Sequence, residues 1–290
     1  MIIVRLLGGL GNQLFQYAAG RALAVRKKTR LYLDVSTYEQ ENSDVIRRSY
    51  DLGLFNIDAP FATPEQIRGF THPSFIRRKV NSLLPYHKRG YYKELFFHYD
   101  PDFFTASAST LLEGYWQSPK YFRDIANILV DECRVTAPLS ARTIDLMARI
   151  SSTNSVSIHI RRGDYVNNPQ TFRFHGVCGV EYYMKALEIM TNKTAGTELF
   201  VFSDDMEWAR ENIGAGFPVT YVSHNDSAHA YEDLCLMSHC KHNVIANSSF
   251  SWWGAWLNQN PGKVVIAPAR WFNESNADTK DLLPEEWLTI

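Results

Sequence analysis

The sequence predicts an α/β protein in which helices cover parallel β-sheets. Short apolar strands alternate with amphipathic helices through the second half of the chain. A strand, a glycine-rich loop, a helix and another strand open the first half. Such alternation is typical of parallel sheets covered on both faces. With 290 residues, of which 45% are hydrophobic, the chain is long enough for two domains with substantial cores. We place these domains at residues 1–150 and 151–290.

The first domain begins with four predicted elements, in the order strand, loop, helix and strand: Ile2–Leu7, Gly8–Gln13, Leu14–Arg26 and Arg30–Asp34. Beyond Asp34 the alternation gives way to loops and aromatic-rich segments, and no pattern is legible through residues 36–120. A helix within Thr136–Asn154 is expected to form part of the crossover to the second domain.

The second domain shows the clearest alternation. Its five predicted strands are Val156–Ile160, Leu199–Ser203, Val219–Val222, Asn243–Ala246 and Val264–Ala267. The helical patterns between and after them cover Glu181–Thr191, Met206–Ile213, Ala228–Cys240 and Phe250–Asn258. We expect the tail, Arg270–Ile290, to pack back on the first domain.

Composition excludes some functions. The 30 basic and 31 acidic residues give a formal charge of −1, so nucleic acid is not an expected partner. Four cysteines are too few and too unevenly placed for a disulfide framework. The spacing within Cys235–His242 fits core thiols on a helix better than a zinc site. We therefore expect no zinc site in this stretch.

The first residues lack the basic, apolar and cleavage regions of a signal peptide, and no apolar run approaches the ~20 residues of a membrane span. We expect a cytoplasmic protein. The basic stretch at residues 77–93 is interspersed with leucine and tyrosine. It is either a solvated face or a patch for an anionic membrane surface or lipid-linked acceptor, which would make the protein membrane-peripheral.

Three polar clusters follow predicted strands of the second domain. Arg161–Asp164 comes after one strand, Asp204 and Asp205 follow Ser203 at the end of the next, and Asn247–Ser249 begins a helix. Ligands of open parallel sheets bind at the carboxyl ends of the strands. The clusters therefore predict one binding site, although 90 residues of sequence separate them.

The residue types in these clusters suit a diphosphate. Arginine binds phosphate oxygens through a rigid fork of donors, and helix N-termini bind phosphate through free amides and the helix dipole. Arg161 and the start of the helix at Ser248 would share one diphosphate. The alternatives are an exposed basic turn with Asp164 paired to an arginine, and a plain helix cap at Ser248. Asp204 and Asp205 suit a metal, a guanine edge or a helix cap.

The loop Gly8–Gln13 matches neither familiar phosphate-binding motif. A P-loop requires Gly-Lys-Ser/Thr, which is absent, and Leu14 stands where a dinucleotide fingerprint has its third glycine. The loop would let backbone approach a ligand, with Asn12 and Gln13 offering amides, or it is only a tight turn. Asp100-Pro101-Asp102 has the Asp-x-Asp spacing of metal-dependent sugar transferases, but its aromatic context favours a loop near the acceptor or a plain surface segment.

Together these stretches resemble glycosyltransferase family 11, the α-1,2-fucosyltransferases. The matching blocks are Gly8–Ala18, His159–Tyr165, Phe202–Asp205 and Ala246–Leu257, with weaker matches at Gly114–Ser118 and Ile266–Trp271. The blocks His-Ile-Arg-Arg-Gly-Asp-Tyr and Ser-Phe-Ser-Trp-Trp-Gly-Ala-Trp are highly specific as a pair. The similarity extends from residue 2 to about residue 272.

The resemblance implies a GT-B-like fold, with two Rossmann-like domains whose parallel sheets face a cleft. It implies inverting transfer of L-fucose from GDP-β-L-fucose to the 2-hydroxyl of a terminal galactoside, without an obligatory metal. Arg161 would bind the β-phosphate, His159 would lie near guanine or ribose, and Asp204 would read guanine. Ser248 and Ser249 would hold phosphate. The full implied donor-binding set is Gly9, Gly11, Asn12, His159, Arg161, Ser203, Asp204, Asp205, Asn247, Ser248 and Ser249.

The catalytic set implied here is Arg161, with Asp164 and Asn12 as further candidates. Four residues are candidates for the general base, and the sequence does not choose among them: Asp164, Glu113, His175 and Asp51. The acceptor, a galactose-terminated oligosaccharide or glycolipid, is not identified. Two alternatives stay open: a transferase that uses another GDP-sugar, and a non-catalytic carbohydrate- or nucleotide-binding protein on the same scaffold.

Overall fold

Two parallel β-sheets organise the chain, as the alternation of strands and helices predicts. The computed structural model describes residues 1–39, 49–163, 166, 168–273 and 277–290. A first unit comprises Met1–Thr136 with Asp278–Leu283, and a second unit comprises Ala137–Ala277 with Pro284–Ile290. The helix Ala141–Ser152 precedes the first strand of the second sheet and belongs with it. The second unit therefore begins before the boundary expected near residue 150.

The first unit contains a four-stranded sheet with the order β2-β1-β4-β3. Its strands are β1 (Ile2–Arg5), β2 (Leu31–Asp34), β3 (Tyr91–Lys93) and β4 (Thr110–Glu113). All neighbouring strands are parallel, and β1 pairs with both β2 and β4. The sequence did not predict β3 or β4, because no α-helix separates them and the aromatic-rich segment between them lacks the strand–helix alternation.

In the described part of this unit, the α-helices are α1 (Leu10–Arg26), α2 (Pro64–Thr71), α3 (Phe75–Leu83) and α4 (Ala126–Glu132). The predicted start of α1 at Leu14 is wrong, because the helix begins at Leu10 with Gly9 as its N-cap. Most of the predicted glycine loop is thus the first turn of a helix. Position 12 lies in this first turn, where its backbone amide donates a 2.9 Å hydrogen bond to the carbonyl of Gly9.

An aromatic cluster fills the segment in which the alternation fades. Trp116 and Phe103 have ring centroids 5.1 Å apart, and Phe103 and Tyr121 have theirs 4.6 Å apart. Asp100 accepts a short hydrogen bond from the Tyr92 hydroxyl and another, of 2.9 Å, from the amide of Asp102. The Asp-x-Asp segment is therefore an ordinary turn tied to the aromatic core.

The second unit contains a six-stranded parallel sheet with the order β10-β9-β8-β5-β6-β7. Its strands are β5 (Asn154–Ile160), β6 (Thr197–Ser203), β7 (Val219–Val222), β8 (His242–Val244), β9 (Val265–Ala267) and β10 (Leu288–Thr289). The helices are α5 (Ala141–Ser152), α6 (Pro169–His175), α7 (Val180–Lys193), α8 (Met206–Asn212), α9 (Ala230–His239) and α10 (Ser249–Leu257). All five predicted strands are present, and the tail adds β10.

The tail residues Asp278–Leu283 group with the first unit. There, Asp281 accepts a hydrogen bond from the amide of Tyr99 and pairs with the ammonium of Lys120. All four cysteines are free and buried. Among the helices that the structure describes, none combines the length and apolar character required to cross a bilayer.

Candidate functional site

The three polar clusters of the second unit meet at one edge of its sheet. Strands β8, β5 and β6 are neighbours, and their parallel register pairs Ile160 with Ser203 and Ile158 with Val244. Arg161 therefore leaves the sheet level with Asp204 on one side and with Asn247 on the other. The sheet topology brings together segments that are distant in sequence, as the rule for parallel sheets predicts.

Arg161 is oriented by Asp204. Its Nη1 lies 2.9 Å from Asp204 Oδ2, while Asp204 Oδ1 accepts a 2.8 Å hydrogen bond from the backbone amide of Arg162. The two side chains of the ion pair are 24% and 26% exposed, so a ligand can reach the guanidinium. A charge-assisted contact of this kind fixes a guanidinium in a direction suited to phosphate oxygens. Asp204 therefore positions Arg161, and a contact between Asp204 and guanine stays a prediction.

Arg162 has a different environment from its neighbour. Its Nε lies 3.2 Å from Asp205 Oδ2, and its guanidinium carbon lies 4.1 Å from the centroid of the Trp208 ring. Asp205 also caps α8 by accepting from the amide of Trp208, and its own amide donates to Ser203 Oγ. Arg162, Ser203 and Asp205 therefore hold the loop and the start of α8 in place beside Arg161.

Gly163 allows the loop after β5 to pass close to Asp204. A Cβ atom at position 163 would lie 3.0 Å from Asp204 Oδ2, which is tight enough to displace the carboxylate that holds Arg161. The next residue, Asp164, lies outside the residues that the structure describes. Its catalytic role therefore remains a prediction from the sequence.

His159 is a buried, neutral imidazole beneath the site. Its ring centroid lies 5.6 Å from that of Phe250 on α10, and its backbone carbonyl accepts from the Tyr183 hydroxyl. Burial lowers the pKa of His159 to about 4, and the charge of Arg161 adds to this effect against the opposing charge of Asp204. Within the described chain, the buried Nδ1 atom has no hydrogen-bond partner. A buried polar atom of this kind suits a ligand group such as a ribose hydroxyl or a guanine edge.

Helix α10 begins at the same sheet edge. Ser248 is its N-cap and is buried, yet in the described structure its side chain makes no capping hydrogen bond. The amides of the first turn, which starts at the half-buried Ser249, are thus not capped by that hydroxyl. Uncapped amides at a helix start attract anions, in agreement with the predicted phosphate contact.

Asn247 has a structural role at this edge. Its side-chain amide donates to the carbonyls of His175 and Trp271 at 2.9 and 3.1 Å, and its Oδ1 lies 3.7 Å from the thiol of Cys178. The side chain thereby ties together three loops around the start of α10. A contact between Asn247 and the donor stays a prediction, because its amide is engaged within the protein.

The glycine-rich segment forms the corresponding edge in the first unit. Gly8 has a positive φ of 75°, and a Cβ there would lie 2.7 Å from the side-chain nitrogen of Asn12. Its carbonyl accepts hydrogen bonds from the Tyr38 hydroxyl and from Gln13. Gly11 is buried in the first turn of α1. Ligand contacts of Gly9, Gly11 and Asn12 stay predictions.

The sequence did not predict which residues position Asn12. The side-chain amide of Gln117 donates to Asn12 Oδ1 at 2.8 Å, and Gln117 follows a turn in which Trp116 has a φ of +55°. The carboxylate of Glu94 holds this turn by accepting from the amides of Tyr115 and Trp116, at 2.7 and 3.0 Å. The weak family match at Gly114–Ser118 is the only sequence signal for this support, and Glu94 has none.

The base candidates differ in how their side chains are engaged. Glu113 pairs with Arg5 and Lys93 and accepts from the Tyr91 hydroxyl; these contacts lower its pKa against the opposing effect of burial, so it is a poor base. Asp51 is joined to the glycine segment through Gln13, which accepts from the Asp51 amide.

His175 ends α6 in the second unit, where its ring contacts those of Phe174 and Phe272. With Asp164 outside the described residues, the structure does not single out one base. Across the described ranges, no group of three or more His, Cys, Asp and Glu side chains is arranged to hold a metal ion.

Comparison with known proteins agrees with the geometry. The model of glycosyl transferase family 11 matches residues 71–290. The chain is 33% identical to the alpha-1,2-colitosyltransferase of Escherichia coli, over 100% of this chain and 99% of the relative. It is 35% identical to the O-antigen biosynthesis glycosyltransferase WbnK of Escherichia coli, over 98% and 99% of the two chains.

A more distant similarity, 26% identity over 86% of this chain and 63% of the relative, connects it to galactoside alpha-(1,2)-fucosyltransferase 1 of Ateles belzebuth. Among solved structures, POFUT1 in complex with GDP superposes with a TM-score of 0.51 at 14% identity, covering 92% of this chain and 97% of that one. The α/β, GT-B-like fold expected from the resemblance is thereby confirmed.

Proposed function

The chain belongs to glycosyltransferase family 11, and from this premise we propose that it transfers L-fucose from GDP-β-L-fucose to the 2-hydroxyl of a terminal galactoside. Two relatives support the linkage, since the names of the colitosyltransferase and of the more distant fucosyltransferase both specify α-1,2 transfer. The acceptor we propose is a galactose-terminated oligosaccharide or glycolipid.

One observation carries the proposal. Arg161 is held by Asp204 at the carboxyl edge of the second sheet, level with the start of α10. A guanidinium and a helix N-terminus are both donors for phosphate oxygens, and together they match the two phosphates of a nucleoside diphosphate. The neutral, buried imidazole of His159 would form a hydrogen bond with the nucleoside at the same sheet edge.

These groups suit the chemistry of inversion. The acceptor 2-oxygen forms a bond with C1 of the sugar, the bond from C1 to the β-phosphate oxygen breaks, and the acceptor proton passes to a base. Negative charge grows on the leaving diphosphate in the transition state. Fixed donors at that position stabilise the transition state more than the ground state. We propose that Arg161 and the start of α10 act there in place of a metal ion.

The test is the Arg161→Ala variant, assayed for transfer to lactose and for GDP binding. Loss of such a donor costs roughly 3–4 kcal/mol in the barrier, or about 10²–10³ in kcat. Arg210→Ala is a matched control, because Arg210 lies on α8 and stacks on Tyr221. If Arg161→Ala turns over at nearly the wild-type rate while the control is normal, the assignment of Arg161 is wrong.

Two further measurements test the rest of the proposal. Transfer should persist in EDTA, since the proposed donor contacts need no metal. Thermal-shift comparison of GDP-fucose, GDP-mannose and UDP-galactose should show the largest stabilisation with GDP-fucose. A protein that binds these donors but neither transfers nor hydrolyses them would be a binding module, contrary to the proposal.

A second donor is favoured by a specific observation, namely the full-length 33% identity to a colitosyltransferase. Colitose is the 3-deoxy counterpart of L-fucose, so the two donors differ by one hydroxyl. A site that hydrogen-bonds this hydroxyl rejects the deoxy sugar by about 10⁴–10⁵, whereas an apolar site discriminates only weakly. The ratio of kcat/KM for the GDP derivatives of the two sugars decides which donor the enzyme uses.

A further inference from the structure

Helix α3 turns its apolar side chains towards solvent. None of its nine residues is buried. Phe75, Ile76, Val80 and Leu83 are 70%, 75%, 51% and 86% exposed. With 3.6 residues per turn, these four side chains occupy one side of the helix. This is the reverse of a surface helix whose apolar side packs on the protein.

The opposite side of α3 is held by polar contacts. Arg77 donates to the carbonyl of Gly69 at 3.0 Å, and its guanidinium carbon lies 4.7 Å from the Phe70 ring centroid. Arg77, Asn81 and Leu84 follow the i, i+4, i+7 spacing of one helix side and are the half-buried members of this region. The side of the helix that carries Arg77 therefore contacts the protein, and the apolar side faces solvent.

The stretch of sequence that contains α3 is basic. Residues 66–93 contain no aspartate or glutamate, but they contain seven basic residues: Arg68, Arg77, Arg78, Lys79, Lys88, Arg89 and Lys93. The whole chain, in contrast, has a formal charge of −1. Arg78 and Lys79 are exposed, and the Lys79 ammonium lies 5.3 Å from the centroid of the Phe75 ring, on the apolar side.

We propose that this surface, defined as Phe75, Ile76, Arg78, Lys79, Val80 and Leu83, docks on an anionic lipid bilayer. Apolar side chains on one side of a helix enter the headgroup region, while lysine and arginine beside them pair with acidic headgroups. A second copy of the chain fits less well, because a two-fold interface would set the exposed Arg78 and Lys79 of one copy against those of the other. The inference does not depend on the proposed sugar transfer.

The test uses the full-length protein and sedimentation with vesicles. Wild type should bind vesicles of phosphatidylcholine mixed with phosphatidylglycerol and should bind pure phosphatidylcholine much less. Arg78→Gln/Lys79→Gln should lower the partition coefficient about 30-fold, which corresponds to about 1 kcal/mol for each basic residue. Ile76→Ser/Leu83→Ser should lower it by at least about tenfold through lost apolar burial.

Matched controls come from the second unit. Ile144→Ser removes an apolar side chain on α5 that is 55% exposed, and Lys185→Gln/Lys193→Gln removes two exposed charges on α7. Both controls should bind mixed vesicles as wild type does. Because none of the α3 residues is buried, its variants should keep the wild-type melting temperature and the wild-type transfer rate on a soluble acceptor. Failure of the sugar-transfer proposal would therefore not affect the vesicle result.

Three outcomes would overturn the proposal. In the first, wild type does not sediment with mixed vesicles. In the second, Ile76→Ser/Leu83→Ser binds like wild type, so only charge adsorption remains and the apolar side does not insert. In the third, wild type forms concentration-dependent dimers in size exclusion that Ile76→Ser/Leu83→Ser abolishes, without vesicle binding, so the occupant is a second copy of the chain.

Discussion

Replacement of Glu94 by glutamine should remove a specific pH dependence of stability. Glu94 is a largely desolvated carboxylate that accepts from the amides of Tyr115 and Trp116. Burial raises its pKa from 4.5 to about 7, although the two backbone hydrogen bonds act in the opposite direction. The turn that it holds carries Gln117, which in turn orients Asn12. The titration of Glu94 therefore reports on the support of the glycine segment.

Proton linkage sets the direction in which stability changes with pH. Between pH 4.5 and pH 7 the folded protein keeps a proton on Glu94 that the unfolded chain has released. The stability that this group contributes is fully present below pH 4.5 and is lost as pH rises through 7. At 1.36 kcal/mol for each pH unit, the interval amounts to about 3 kcal/mol. Glu94→Gln cannot titrate, so the stability of wild type relative to the variant should fall by that amount.

The assay is urea unfolding of both proteins at pH 4.5 and pH 7. Other buried groups also titrate, because burial raises the pKa of Asp233 to about 7 and lowers that of His159 to about 4. Both groups remain in the variant, so their contributions cancel in the difference. Glu207→Gln, on an exposed position of α8, is the control and should show no such change. A difference that stays constant, or that grows with pH, would refute the argument.

Three further predictions concern the site. Asp204→Asn should raise the donor KM and lower kcat/KM about tenfold or more in steady-state kinetics, because it weakens a charged hydrogen bond worth about 1.5–3 kcal/mol. Gln117→Ala should lower kcat/KM about fivefold at an unchanged melting temperature, since one neutral hydrogen bond to Asn12 is worth about 1 kcal/mol. Gly8→Ala should lower the free energy of unfolding, measured by urea titration, by more than about 1–2 kcal/mol, because a strained φ is joined by a clash.

Each of these has its own counter-result. A wild-type donor KM in Asp204→Asn would mean that Asp204 does not position the arginine. Gln117→Ala with unchanged kcat/KM would separate Asn12 from catalysis. Gly262→Ala is the control for Gly8→Ala, since Gly262 has a φ of +76° but open space where the alanine Cβ would lie. Equal losses in the two glycine variants would show that strain alone, without the clash, accounts for the effect.

Much of the second unit was predictable because its signals are local. Strands β5 to β9 and the helices between them carry their own periodicity, and the rule for parallel sheets then brings their carboxyl ends together. The first unit was less predictable. Strands β3 and β4 lie in a segment without strand–helix alternation, and the glycines at the start of α1 are typical of a loop.

The sequence by itself determined the class of fold, the family, and the set of polar residues at one sheet edge, since each depends on residues close together in the chain. Only the tertiary structure determined which partner each of these residues contacts. Arg161 pairs with Asp204, whereas Arg162 pairs with Asp205 and stacks on Trp208. The side-chain amide of Asn247 donates to backbone carbonyls of neighbouring loops. Such choices depend on partners far apart in sequence, which no local pattern can encode.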